Sequence, residues 1–159
     1  MQFYRMAGAL ILACSGFGAA LAINSKLSHA MKQTDALTVF LCFVRSQIEC
    51  FSLPASEIIS MFDKELLRGC GFCAEVVPSD MRSLIYGFEV DDAEARSIIR
   101  RFADSFGQGY REEQIKECDY YIELLRERRQ ALAQTLPAKK KVNCTLCISS
   151  ALALIILLL

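Results

Sequence analysis

Two uncharged apolar stretches, Met6 to Ile23 and Val142 to Leu159, bound what this chain can fold into. Each has eighteen residues; as a helix rising about 1.5 Å per residue it spans roughly 27 Å, close to the ~30 Å hydrocarbon core of a bilayer. About 118 residues lie between them, enough for one compact domain and too few to bury both stretches beside a core of its own. Hydrophobic residues make up 53% of the chain, and the excess over soluble composition sits at these ends. The pattern predicts a transmembrane helix within 1–23, an all-α helical domain over 24–141 and a second transmembrane helix over 142–159.

Lysine and arginine near the spans set the expected orientation. Before the first span stand Arg5 and the amino terminus; after it come Lys26 and Lys32. Before the second stand Arg126, Arg128, Arg129 and the run Lys139-Lys140-Lys141, and no basic residue follows it. Both spans predict a cytoplasmic middle. The alternative is a cleaved signal peptide, because Ala20-Leu21-Ala22 fits a small-x-small site and Ile11-Leu12-Ala13-Cys14 is a poor lipoprotein box. Cleavage would put the domain outside the cell, an oxidising space for cysteines that read as reduced. On the first span, Ala9, Ala13, Gly16 and Ala20 form a stripe of small residues. Such a stripe lets helix backbones approach closely in lipid; the plainer reading is that Ala and Gly only meet the span's need for apolarity.

The middle repeats its apolar residues at three and four throughout. Leu37, Phe40, Leu41, Val44, Ile48 and Phe51 form one stripe, with no breaker between it and the first span, so span and helix read as one rod. Pro54 opens a helix to about Leu67, with Pro at a favoured first-turn position. Gly69 and Gly71 end it. Pro78-Ser79-Asp80 starts a short helix carrying Met81, Leu84 and Ile85. Asp91-Asp92-Ala93-Glu94 is close to a capping box for a helix with Ala95, Ile98, Ile99, Phe102 and Phe106 inward. Gly107-Gln108-Gly109 breaks that helix. The last runs from Tyr110 to about Gln134, with Ile115, Cys118, Ile122, Leu125, Leu132 and Leu136 at heptad-like spacing and Arg129 where one apolar residue is missing.

Little chemistry is predicted. Net charge is formally zero, which gives a nucleic-acid partner no electrostatic support. The single histidine, His29, reads as interfacial, and no phosphate loop, Ser-His-Asp set or His-Glu metal helix is present. Cys70-Gly71-Phe72-Cys73 has zinc or redox spacing, yet no second pair is placed to complete four ligands; Cys144-Thr145-Leu146-Cys147 lies beyond the predicted membrane boundary. Asp91, Asp92, Glu112 and Glu113 read as helix starts. The chain is expected to be no enzyme, with no catalytic residue, metal or cofactor.

The segment from Arg101 to Lys116, Arg-Phe-Ala-Asp-Ser-Phe-Gly-Gln-Gly-Tyr-Arg-Glu-Glu-Gln-Ile-Lys, resembles the signature of the stage III sporulation protein AB family. There a helix ends on an aromatic or Leu followed by Gly, and the next opens with acidic residues and a Gln; Phe106-Gly107 and Glu113-Gln114 match. Ser46 to Pro54 resembles the family's helix end and Leu-Pro opening. The resemblance covers essentially the whole chain, although Cys70 to Val90 is short for the pattern and lacks a Trp, which leaves the number of central helices open. It implies a membrane component of the channel-like complex between mother cell and forespore, located in the cell membrane with its domain on the mother-cell cytoplasmic side. That domain would be similar to the cytoplasmic domains of platform proteins of type II secretion and type IV pilus systems. The implied partners are the ATPase stage III sporulation protein AA and other membrane proteins of the complex. Phe106, Gly107, Gly109 and Gln114 would then form the structural junction, with Arg111 and Glu112, or Arg96, Arg100 and Arg101, as docking candidates. Two other classes stay open: an extracytoplasmic lipoprotein-like binding module, and a membrane-tethered Cys-x-x-Cys redox or metal protein.

Overall fold

A computed structural model describes the backbone of residues 2–51 and 53–158 and the side-chain surroundings of 25, 26, 28–51, 53–135, 145 and 149. The described residues form six helices: α1 (Gln2–Phe51), α2 (Ala55–Ser60), α3 (Lys64–Gly69), α4 (Met81–Tyr86), α5 (Ala93–Ser105) and α6 (Arg111–Leu158). Among the described residues there is no strand, only an isolated antiparallel bridge between Phe72 and Phe88. The all-α expectation holds. The chain divides into one unit of residues 29–131 and another of 1–28 with 132–159. Among the described residues no helix is long and apolar enough to cross a membrane. Apart from Thr145 and Ser149, the predicted spans, the stripe Ala9, Ala13, Gly16 and Ala20, and Lys139 to Lys141 all lie outside the residues whose side chains are described.

Within the unit 29–131, α1 is the spine. Leu37, Phe40, Leu41, Val44 and Ile48 are buried, as their three-and-four spacing requires. Phe40 collects the other elements: Phe62 stacks on it at 4.5 Å between ring centroids and Phe88 meets it edge-on at 5.4 Å. Phe51 departs from the expected stripe and is 67% exposed, because it stands on the last residue of α1, beyond the helices that cover the rest.

The single helix expected from Pro54 to Leu67 is two short ones. Pro54 caps α2, its carbonyl accepting from the Glu57 and Ile58 amides. Asp63 then starts α3 by accepting from the Glu65 amide, so an N-cap stands where the periodicity read straight through. The break lets Ile58 and Ile59 on α2 and Leu67 on α3 all reach the core. The short helix after Pro78 forms as expected. Asp80 caps α4 through the Ser83 amide, and Met81, Leu84 and Ile85 are buried.

Asp92 caps α5 through the Ala95 amide at 2.9 Å. Glu94 does not complete a capping box; it pairs with Arg128 of α6. Helix α5 buries Ala95, Ile98, Ile99, Phe102 and Ala103. Helix α6 answers with Cys118, Tyr121, Ile122 and Leu125, and the Phe102 and Tyr121 rings meet edge-on at 5.7 Å.

Helices α1 and α6 run antiparallel in this unit, braced at three levels. Arg45 donates to Asp119 at 2.6 Å and Arg129 donates to Asp35 at 3.1 Å. At the far end the Arg111 guanidinium donates to the carbonyls of Ile48, at 3.0 Å, and Glu49. It thereby satisfies carbonyls that a helix C-terminus leaves open and opposes the negative end of the dipole.

Candidate functional site

The junction between α5 and α6 is built from backbone conformation first. Helix α5 stops at Phe106, whose amide still reaches the Phe102 carbonyl at 2.9 Å. Gly107 then takes φ +82° and Gly109 φ +143°, a left-handed region that residues with a Cβ rarely enter. Two side chains fasten the far side. The Glu113 carboxylate accepts from the Tyr110 amide at 3.1 Å, the return half of a capping box. The Gln114 amide donates to the Gly109 carbonyl at 3.0 Å. Phe106 is half-buried, its ring 5.4 Å from Phe102. Phe106, Gly107, Gly109 and Gln114 thus meet in one turn.

The docking candidates do not share one situation. Arg111 is committed to the end of α1. Arg96 is half-buried, and its guanidinium donates to the Val90 carbonyl, with Nε at 2.8 Å. Both hold the fold together. Glu112, Arg100 and Arg101 are exposed. Arg100 lies over the Tyr86 ring, 5.3 Å from its centroid, with Arg82 at 5.7 Å. Asp104 completes this cluster, pairing with Arg82 at 2.8 Å and accepting from the Tyr86 hydroxyl at 3.1 Å.

Two further residues matter that the periodicity did not single out. Gln33 is buried and makes three hydrogen bonds: it donates to the Glu89 carbonyl at 2.6 Å and the Cys70 carbonyl at 3.3 Å, and accepts from the Asp91 amide at 2.9 Å. Gly71, at φ +96°, passes so close that a Cβ there would stand 2.5 Å from the Gln33 amide nitrogen and from the Glu89 carbonyl oxygen. The pair locks the turn after α3 to the segment before α5. A trace was visible in the sequence, since Gln33 stands four residues before Leu37 on the buried stripe, where a polar side chain needs partners.

Electrostatics concentrate at the α5 start. Arg128 forks onto both Asp92 oxygens at 2.7 and 2.8 Å, and these hydrogen bonds hold the Asp92 carboxyl below its ordinary range. His29 bonds Asp91 at 2.9 Å on the surface. Burial pushes the Cys70 thiol up to about 12, so it carries no thiolate at neutral pH, while Cys73 is exposed. Among the described residues no three His, Cys, Asp or Glu side chains gather as a metal site; Cys144 and Cys147 lie outside that description.

These features define a class: a helical bundle whose two longest helices are strapped together and turned at a glycine junction. Residues 92–159 match the family model described as stage III sporulation protein AB, the family whose signature residues 101–116 resemble. The match begins on the Asp92 cap and takes in α5, the junction and α6, a narrower span than the resemblance over the whole chain. A role in stage III of sporulation is what this family implies. No curated protein and no solved structure matches the chain.

Proposed function

We propose that this chain is a non-enzymatic membrane component of the secretion-like complex between mother cell and forespore. Its helical unit faces the mother-cell cytoplasm and couples an ATPase, stage III sporulation protein AA, to the membrane proteins of the assembly. The observation that carries this reading is the braced α1–α6 pair. Each of the two helices contributes one wall of the unit, and each continues in sequence to one apolar end. Ties at Arg45–Asp119, Arg129–Asp35 and Arg111–Ile48 make the pair resist shear, so a displacement applied at the Gly107–Gly109 turn passes along both helices together. The lysines flanking the spans support a cytoplasmic middle.

Reporter fusions within the exposed 73–77 loop test the topology, and deletion of the chain tests the role. The expected result is cytoplasmic-type reporter activity and arrest at stage III. Activity of an extracytoplasmic-type reporter would move the reading to the lipoprotein-like module.

A further inference from the structure

The unit 29–131 carries two exposed faces of opposite character at one height. The first is the outer side of α4 and α5: Arg82, Tyr86, Arg100 and Arg101, with Asp104 the only acid in the cluster. Tyr86 is 44% exposed, and no ion pair engages Arg100 or Arg101 among the described residues. The second is the outer side of α6. Lys116, Tyr120, Glu123 and Glu127 are exposed there, opposite the stripe of Cys118, Ile122 and Leu125 that enters the core. Tyr120 is 57% exposed, Glu127 forms no ion pair among the described residues, and Glu123 meets Arg126 only at 3.4 Å.

Register fixes their relative height. Asp92 lies against Arg128 and Phe102 against Tyr121, so Arg100 and Arg101 stand level with Tyr120 to Glu123 along the antiparallel helices. From this complementarity we infer that the α4–α5 face binds the α6 face of a second copy of this chain, side by side. The contact joins different patches on the two copies, so it repeats around a ring or along a row rather than closing as a two-fold dimer. Equal heights are what chains anchored in one membrane require, and to that extent the inference rests on the proposed function. Each face brings an aromatic flanked by charges, a composition frequent at binding hot spots. The Tyr86 ring holds the Arg100 guanidinium in place beforehand, which lowers the entropy cost of pairing it with a carboxylate.

The test uses the full chain in membranes of sporulating cells, with benzoylphenylalanine at position 120 for photo-crosslinking. The expected product joins position 120 to residues 82–104 of another copy. Arg100→Glu with Arg101→Glu, or Glu123→Arg with Glu127→Arg, should each cut that product at least tenfold. In the detergent-solubilised chain either pair should lower the oligomer mass toward monomer, and mixing the two variants should restore association. Crosslinks to a different protein, crosslinks between two copies of position 120, or a monomeric wild-type chain would overturn the interface. Carbonate extraction of the same membranes separates the two readings. Release of the chain contradicts its membrane role, whereas a retained chain without the crosslink contradicts only the interface, and the crosslink decides the interface in either fraction.

Discussion

At Gly107 a Cβ would meet nothing within 4 Å, so substitution there tests backbone strain without steric conflict. Left-handed backbone costs an L-residue about 1–2 kcal/mol, and a β-branched one more. Gly107→Val should lower the melting temperature of the helical unit by about 5–15 °C and impair sporulation. Gly107→Asn, which tolerates this conformation, should lose much less; equal losses for Val and Asn would contradict the strain argument. Gln33 makes a sharper case. Gln33→Ala strands two carbonyls and one amide that it now serves, at about 1–3 kcal/mol for each group left buried without a partner, and should rank among the most destabilising polar substitutions in chemical denaturation. Asp92 gives the pH dependence. Its folded pKa lies below its unfolded value, so its contribution is present above the ordinary carboxylate range near pH 4 and is lost as pH falls through the folded pKa. Asp92→Asn should therefore lower stability at neutral pH and flatten the acid limb below about pH 4, read as melting temperature against pH. An unchanged acid limb would show that the Arg128 fork adds nothing.

Helix ends decide what the elements do, and they separate what was legible from what was not. The stripe on α1, the starts at Asp80 and Asp92 and the glycine break at 107–109 were readable, because each is a local device: a periodicity, a capping side chain, a residue free of Cβ. The break between α2 and α3 was not readable as periodicity, since Ile58, Phe62, Leu66 and Leu67 keep helical spacing across it; only the Asp63 cap marks it. The exposure of Phe51 and the commitment of Arg111 depend on where distant elements end, which spacing cannot give. Arg111 changes the experiment at the junction. Arg111→Ala removes a tie to the end of α1 and should cost about 1–2 kcal/mol of stability through the lost charged hydrogen bonds, so a binding defect there would not identify a dock. Glu112→Arg keeps the α1 tie and should leave the melting temperature within about 2 °C, as exposed substitutions usually do. A drop as large as that of Arg111→Ala would mean that Glu112 is structural.

For the whole molecule, sequence pattern carried the all-α class, and the residues of the α5–α6 junction carried the resemblance to the stage III sporulation protein AB family, whose model matches residues 92–159. The arrangement at Gln33 and the equal height of the charged faces required three dimensions, because both join segments far apart in the chain. In the proposed function this helical unit links an ATPase to a membrane assembly. The most direct measurement is quantitative co-purification of stage III sporulation protein AA with the full chain from detergent-solubilised membranes of sporulating cells, with Gly107→Val as the strained control. The ATPase should be recovered in fixed proportion with the wild-type chain and be depleted with Gly107→Val. Recovery of the chain with its membrane neighbours and without the ATPase would contradict the proposed function.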